Sequence, residues 1–289
     1  MKFLVMPGDG IGPEIVPVAV SALETLNRKL GLGISLETVD IGFASLETSG
    51  NTFPDEALKK ARDADGTIMG PTDTLAYPPL AEGGRGPSAF MRTGLDLYAN
   101  IRPAKTRSGV PSAVENMDLV FARENTEGFY ADRSMYLGNG EMMLTEDVAI
   151  SVRKITREAS RRIAEAAFKL AMQRRRKVTI VTKRNVLKMT DGLFHDTVRT
   201  VAQDYPEVEV DDVIIDAMSA LMVRTPDAFD VVCTSNMYGD ILSDLGGGLV
   251  GGMGMAPCAE IGNDHALFQP AHGSAPTIAG KDKANPTAM

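Results

Sequence analysis

Two aspartates four residues apart, Asp240 and Asp244 in the run Asp-Ile-Leu-Ser-Asp, give the plainest chemical signal in the sequence. On a helix that spacing puts both carboxylates on one face. Side by side they repel, and a hard divalent cation with oxygen ligands relieves the repulsion. Two separately solvated carboxylates on an outer helix face are the other reading. The pair follows an apolar stretch, residues 229–235, and α/β sheets bind ligands beyond the ends of their strands, which favours the cation. Arg92, Arg102 and Arg123 come from three separate segments. A guanidinium grips a carboxylate through two parallel hydrogen bonds, so three that converge would hold a di- or tricarboxylate. Taken singly, each reads as a surface or helix-end arginine. Tyr130 and Lys183, a loop tyrosine and a strand-end lysine, gain meaning beside carboxylates and a metal, where they could donate and accept protons.

Gly8-Asp9-Gly10-Ile11-Gly12 reads as a tight turn with a functional face, set between a strand and a helix. It lacks the G-x-G-x-x-G spacing of a dinucleotide-binding turn, and no strand ending in an acidic residue follows at the required interval. His272-Gly-Ser-Ala-Pro276 is a loop of small residues whose N–H groups suit close approach to a nucleotide; an ordinary connection is the alternative. Met253 and Met255 read as core fillers. His195 and His265 have no partner at metal-ligand spacing, and Cys233 and Cys258 form no Cys-x-x-Cys.

The elements that must position these groups follow from hydrophobic pattern. Runs of Val, Ile and Leu alternate with longer amphipathic segments, which is the α/β pattern of βα units around a mostly parallel sheet. Strands are expected at residues 3–6, 66–70, 117–123, 177–182 and 229–235. One helix opens at Pro13, with Glu14 near the positive end of its dipole, and a short one covers 54–62. A long helix is expected over 146–176, where Val148, Val152, Ile155, Ala159, Ile163, Ala166, Ala167 and Leu170 fall at helical spacing. Another begins at Asp240, after Gly239. Residues 76–88 read as a loop, and 246–257, with six glycines and a proline, as irregular backbone. The run Arg174-Arg175-Arg176-Lys177 reads as a cationic helix end.

Composition bounds the function. A chain of 289 residues has room for about two domains. With 44% hydrophobic and 24% charged residues it has the profile of a globular protein whose core needs no staples. A net charge of −8 disfavours nucleic-acid partners. Two cysteines make no disulfide framework, which points to the cytoplasm. The apolar opening stops at Pro7, too soon for a signal peptide, and no stretch has the length of a membrane span.

Together the motifs resemble the isocitrate/isopropylmalate dehydrogenase family of metal-dependent β-decarboxylating dehydrogenases. The resemblance is carried, in the family's order and spacing, by Met6-Pro-Gly-Asp-Gly-Ile-Gly-Pro-Glu14, Leu95-Asp-Leu-Tyr-Ala-Asn-Ile-Arg-Pro103 and Arg123-Glu-Asn-Thr-Glu-Gly-Phe-Tyr130. It continues through Thr182-Lys-Arg-Asn185, Asp216-Ala-Met218, Ser235-Asn-Met-Tyr-Gly-Asp-Ile-Leu-Ser-Asp244 and His272-Gly-Ser-Ala-Pro276. It implies a two-domain α/β fold. A large nucleotide-binding domain would combine residues 1–99 and 251–289, and a smaller central domain, residues 100–250, would carry substrate groups, metal ligands and a dimer arm. The active site would lie in the cleft of a homodimer or larger homo-oligomer. Members continue past the counterpart of Asn285-Pro-Thr for several helices, so the resemblance also implies a C-terminal segment beyond Met289.

The resemblance implies roles as well. Arg92, Arg102 and Arg123 would clamp substrate carboxylates, with Ser88 in the stretch that sets substrate choice. Asp240 and Asp244 would hold Mg²⁺ or Mn²⁺, joined by Asp216 from the other subunit. Tyr130 and Lys183 would handle protons, Lys183 across the dimer interface. Asn185 would touch the nicotinamide, and Ile11, His272, Gly273, Ser274, Ala275, Pro276, Thr277, Ile278 and Asn285 would bind the rest of the cofactor. Hydride would pass from the C2 carbinol to NAD⁺, and CO₂ would then leave from the β-carboxylate. Ser88 and Phe90 lean toward an isocitrate- or homoisocitrate-like acid, with 3-isopropylmalate and tartrate as alternatives. Thr277 stands where NAD-using members carry an aspartate, so NAD is expected with NADP possible. A non-catalytic regulatory subunit would have lost Tyr130, Lys183 or an aspartate ligand, and all are present.

Overall fold

The computed structural model describes residues 1–130, 135, 136, 138 and 140–289. In chain order its strands and helices are β1 (Lys2–Met6), α1 (Gly12–Leu30), β2 (Ser35–Thr38), α2 (Phe43–Ser49), α3 (Asp55–Arg62), β3 (Gly66–Met69), α4 (Pro87–Gly94), β4 (Ala99–Lys105), β5 (Asp118–Glu124), β6 (Glu141–Thr145) and β7 (Val148–Ser151). Then come α5 (Arg157–Met172), β8 (Lys177–Thr182), α6 (Thr190–Val201), β9 (Glu209–Ile214), α7 (Ile215–Arg224), β10 (Val231–Thr234), α8 (Asn236–Leu249), β11 (Pro257–Ile261) and β12 (Ala266–Pro270). The alternation of strand and helix makes this an α/β protein. Two compact units result: Met1–Leu97 with Met253–Met289, and Tyr98–Gly252.

In the first unit the strands run β2-β1-β3-β12-β11, parallel except for β11 against β12. Successive side chains of a strand face opposite ways, and β1 uses both faces. Leu4 and Met6 join Phe53, Met69, Met91 and Leu267 in one core, while Val5 packs with Ile11, Ile15 and Val16 of α1 in another. Residues 76–86 form the expected connection, tightened by short turns at Thr74–Ala76 and Leu80–Glu82, while Pro87 and Ser88, expected in the loop, open α4.

In the second unit the order is β4-β5-β10-β8-β9, with only β4 antiparallel to its neighbour. Helix α5 buries Ala159, Ile163, Ala164, Ala167, Phe168 and Ala171 together with Val178, Ile180 and Val231 of the strands. Phe168 stacks on Tyr205 with ring centroids 5.1 Å apart. The small residues on this face let the helix lie close to the sheet.

Two expectations need correction and a third needs extending. The helix over 146–176 begins only at Arg157, where the Thr156 side chain caps it by accepting from the Ala159 N–H. Upstream, Val148-Ala-Ile-Ser is a strand paired with β6, because alternating β-branched residues satisfy a strand at least as well as a helix. Helix α8 starts at Asn236 rather than Asp240 and runs through Gly246, Gly247 and Gly248 to Leu249. A Cβ on Gly246 would stand 3.0 Å from Phe121 and 3.1 Å from the Ala104 Cβ, so this glycine marks close helix–sheet packing. Irregular backbone comes later, at Gly251 and Gly252, with φ of 131° and 104°. Finally, the cationic run does follow the end of α5, where the Arg174 and Arg176 N–H groups donate to the Ala171 carbonyl, and it does more than complement the dipole. Arg174 pairs with Asp118 and Asp230, and Lys177 with Glu209 and Asp211, so the charges tie neighbouring strands together.

Candidate active site

Because β5, β10, β8 and β9 are parallel, their C-terminal ends share one edge of the second unit. Arg123 is level with Asn100 on β4 and Thr234 on β10, and Thr182 is level with Ile214. This is the edge at which α/β sheets bind ligands. Along it come Arg102 from β4, Arg123 from β5, Asp240 and Asp244 from the helix after β10, Lys183 after β8 and Asp216 after β9.

Four of these side chains, joined by Tyr130, form a cluster. Arg102 Nη1 lies 3.1 Å from Asp240 Oδ1 and 3.2 Å from Asp244 Oδ1, and it also donates to Ser243 Oγ at 2.9 Å. Arg123 Nη1 pairs with Asp240, and Tyr130 OH donates to Asp240 Oδ2 at 3.0 Å. Arg123 is only 1% exposed. It crosses beneath α8 at Gly239, where any Cβ would stand 2.6 Å from the arginine's Cβ and Cγ, so the glycine before Asp240 makes room for it. Asn236 Oδ1 accepts from Arg123 Nε at 2.9 Å and Nη2 at 2.6 Å, and Asn100 Oδ1 accepts from Arg102 Nε at 3.1 Å. Burial and the neighbouring Asp240 carboxylate hold the Asp244 carboxyl above the ordinary aspartate range, against the pull of Arg102.

Lys183 and Asp216 form a second, separate pair. Lys183 Nζ is hydrogen-bonded to Asp216, which draws the Asp216 carboxyl below its ordinary value. Their strands lie two and three positions from β5, about 10 and 14 Å at the usual strand spacing. Among the described residues no three His, Cys, Asp or Glu side chains gather as a metal group, so Asp216 is not assembled with Asp240 and Asp244. Asn185 lies just beyond Lys183 and lines a depression of about 480 Å³ with Arg184, Lys188, His195 and Asp196. His195 itself is engaged by Asp212 and Asp196.

The first unit holds the remaining expected residues. Ile11, His272, Gly273, Ala275, Ile278 and Asn285 line one cavity of about 380 Å³, with Met253, Gly254 and Ala284. Ser274 is buried and its carbonyl accepts the Ile11 N–H at 2.9 Å, which ties the loop to the glycine turn. Pro276 and Thr277 are exposed at the rim, and Thr277 O accepts from Lys281 Nζ at 2.7 Å. Arg92 is not among the arginines of the aspartate cluster. It donates from Nε to both oxygens of the fully buried Glu260 at 2.8 and 2.9 Å. Gln269 Nε2 donates to the same carboxylate at 2.9 Å, and Ser88 Oγ stands 3.5 Å from Gln269 Oε1. Sequence reasoning missed Glu260, Gln269, Asn100 and Asn236. Asn100, inside the Leu95–Pro103 motif, and Asn236, inside the Ser235–Asp244 motif, carried a local signal; Glu260 and Gln269 carried none.

The model of the isocitrate/isopropylmalate dehydrogenase family matches residues 2–289. The chain belongs to that family. It is similar to the 3-isopropylmalate dehydrogenase of Methanothermobacter thermautotrophicus, at 42% identity over all of this chain and 82% of that protein. The isocitrate/homoisocitrate dehydrogenase of Thermus thermophilus is 44% identical over 99% of this chain and 82% of its own length. Among solved structures, isocitrate dehydrogenase from Methylococcus capsulatus aligns with a TM-score of 0.89 and 43% identity, covering all of this chain and 82% of that one. As a member of this family the chain has the family's two-domain fold and is an oxidative, decarboxylating dehydrogenase.

Members generally use NAD and Mg²⁺ or Mn²⁺, and the residues present fit both. Asp240 and Asp244 offer oxygen donors alone, the set hard divalent ions prefer. The Arg102 guanidinium already bridges them, so a cationic group is accommodated between the two carboxylates. In the first unit His272 Nε2 is buried without a hydrogen-bond partner, and a Cβ on Gly273 would meet nothing within 4 Å. Both features suit a loop that receives a nucleotide. Among the described residues no helix is long and apolar enough to cross a membrane.

Proposed function

We propose that this enzyme oxidises and decarboxylates a 3-substituted malate with a polar substituent, isocitrate- or homoisocitrate-like, using NAD⁺ and Mg²⁺ or Mn²⁺ in the cytoplasm. The observation that carries the reading is the aspartate cluster. Two buried arginines and a tyrosine hydroxyl meet the carboxylate pair at the C-terminal edge of the sheet. Arg102 and Arg123 would exchange part of their aspartate contacts for substrate carboxylates, and Arg92 and Ser88 are also proposed to bind the acid. Asp240 and Asp244, with Asp216, would hold the metal, whose charge stabilises the enolate left as CO₂ departs. Tyr130 would return a proton to C3, and Lys183 would take the proton of the C2 hydroxyl. The first unit would be the nucleotide-binding domain, its cavity receiving the cofactor that accepts hydride, and Asn185 would reach the nicotinamide. Thr277 can accept a hydrogen bond but carries no charge, which would favour NAD while leaving discrimination against NADP weak.

Lys183 and Asp216 stand apart from the cluster they are read to serve, so a second copy of the chain would supply them. The hairpin β6–β7 supports a homodimer: every residue of both strands is exposed, Met143 and Leu144 among them at 62% and 58%. An isolated apolar hairpin needs a partner for stability.

The test is NADH formation and CO₂ release with Mn²⁺ on isocitrate, homoisocitrate and 3-isopropylmalate side by side, repeated with NADP⁺ and with a chelator. Preference for a polar acid, abolished by chelation, is the expected result. Preference for 3-isopropylmalate would overturn the substrate assignment, and turnover indifferent to chelator would overturn the metal.

A further inference from the structure

We propose that the buried Arg153–Asp191 pair is the positioning device for Lys183, holding the lysine's backbone so that its amine is presented at a fixed place. The inference rests on the reading of Lys183 as a proton-handling group. It adds two residues that neither the motifs nor the family resemblance pointed to.

Asp191 lies in the first turn of α6 and is 1% exposed. One carboxylate oxygen accepts the Lys183 backbone N–H at 2.5 Å, and the other is paired with Arg153. The lysine's own carbonyl accepts the N–H groups of Val186 and Leu187 at 2.9 Å each, and the Leu187 carbonyl accepts the Asp191 N–H at 3.0 Å. The segment from 183 to 191 is therefore a closed loop, and the Asp191 carboxylate is its last link. A lysine side chain has four rotatable bonds and loses much freedom on being held. Fixing the backbone from which it springs narrows the volume its amine can sweep.

Arg153 ties this loop to the rest of the site. Its guanidinium donates to Thr190 Oγ1 at 2.8 Å and to Ser235 Oγ at 2.9 Å, and it lies over the rings of Phe129 and Tyr238 at 5.8 and 5.2 Å. Ser235 is the N-cap residue of the helix that carries Asp240 and Asp244, and Phe129 precedes Tyr130. One arginine thus touches the neighbourhood of each proposed group, and none of its partners belongs to the hydrophobic core beneath α5. The arrangement serves the edge of the sheet. Removing one partner of a buried ion pair leaves the other uncompensated, so Arg153 and Asp191, 7% and 1% exposed at their side chains, act as a unit.

The experiment is Asp191→Asn, which keeps the side chain's size and an acceptor for the Lys183 N–H but gives up the charge that engages Arg153. It is measured alone, in a Lys183→Met background, and beside Lys183→Met by itself. The expected result is a fall in kcat of about 10- to 100-fold, the scale of loss when a reacting group moves by roughly an ångström, with KM for the acid little changed. In the Lys183→Met background the same substitution should then cost less than about twofold, since coupled residues fail to add. A full multiplicative loss in that background overturns the proposal, as does a raised KM with kcat intact. If Lys183→Met alone leaves kcat unchanged, the reading of Lys183 fails first and the proposal with it. Should Asp191→Asn not fold, Arg153→Lys replaces it: charge is kept and the fork is lost, with the same pattern expected at smaller size, and unchanged kcat counting against.

Discussion

Two groups of functional side chains lie on the same edge of the same unit, and they are built differently. Arg102 and Arg123 are sunk in the protein, braced by Asn100, Asn236 and Ser243, with the Asp240–Asp244 pair closed around them. Lys183 and Asp216 form a separate ion pair with side chains 30% and 67% exposed, and no buried arginine joins it among the described residues. Burial drives the Asp244 carboxyl up, whereas an exposed ammonium draws the Asp216 carboxyl down. The first group is finished by the fold of one chain. The second has the form of a contribution made to another. Preorganised charge in a dry site is worth far more than charge in water, which is why the buried Arg102 and Arg123 are proposed as the place where the substrate is held.

The contrast can be broken most severely by removing one member from each group. Tyr130→Phe and Lys183→Met should each lower kcat by about 10²- to 10⁴-fold, as loss of a general acid or base does. Hybrids formed by refolding the two variants together should recover about a quarter of wild-type activity, since half of random dimers are mixed and each has one intact site. No recovery would mean that both groups serve one protomer.

Stability should separate the groups next. Asp240→Asn takes the partner from a buried guanidinium and should destabilise the metal-free protein by roughly 2 kcal/mol in urea unfolding. Asp216→Asn, at a side chain 67% exposed, should move the midpoint far less. Gly246→Ala probes the packing under the first group: its methyl would press on Phe121 and Ala104, at a cost of about 1–3 kcal/mol. Gly248→Ala two residues on meets nothing within 4 Å and should stabilise by about 0.5–1 kcal/mol.

The smallest effect is the sign of a pH dependence. The Asp244 carboxyl is raised in the folded protein, so folding favours its protonated form. Its contribution to stability improves as pH falls through the range above its ordinary value of 3.8. The Asp216 carboxyl is lowered, so its contribution is present above its ordinary value of 3.8 and is lost below it, as pH falls through the depressed one. Unfolding curves of each residue's Asn variant, subtracted from wild type between neutral and acid pH, should slope in opposite directions. Parallel slopes would erase the distinction.

Strands and helices with one clear period were legible in the sequence: β1, β3, α3, β5, β8 and β10 stand at or within two residues of their expected limits. The hairpin strand β7 was hidden because Val148, Val152 and Ile155 also fit a helical repeat, and only the cap at Thr156 decides the boundary. The glycines of α8 were read as breakers because sequence shows a glycine's freedom but not the Phe121 ring that requires it. The carboxylate pair and the arginines of the aspartate cluster were visible by type and spacing. Their supports were not: Asp191 acts on a residue eight positions away, and Glu260 on one 168 positions away, through contacts that no short pattern records.

The order in which the chain is made now becomes relevant. The second unit, Tyr98–Gly252, is one uninterrupted stretch, so everything it needs has left the ribosome once residue 252 has. The first unit is not so placed, because β3 pairs with β12, bringing Thr67 beside Leu267. At ordinary rates of translation about 10–40 s separate the synthesis of those two strands. Throughout that interval Leu4, Met6 and Met69 lack the Leu267 side that closes their core, and the edge of β3 stands open. The nascent chain therefore carries an exposed apolar strand edge beside an inserted unit that can already fold, which makes the first unit the place where chaperones would bind and where aggregation would begin.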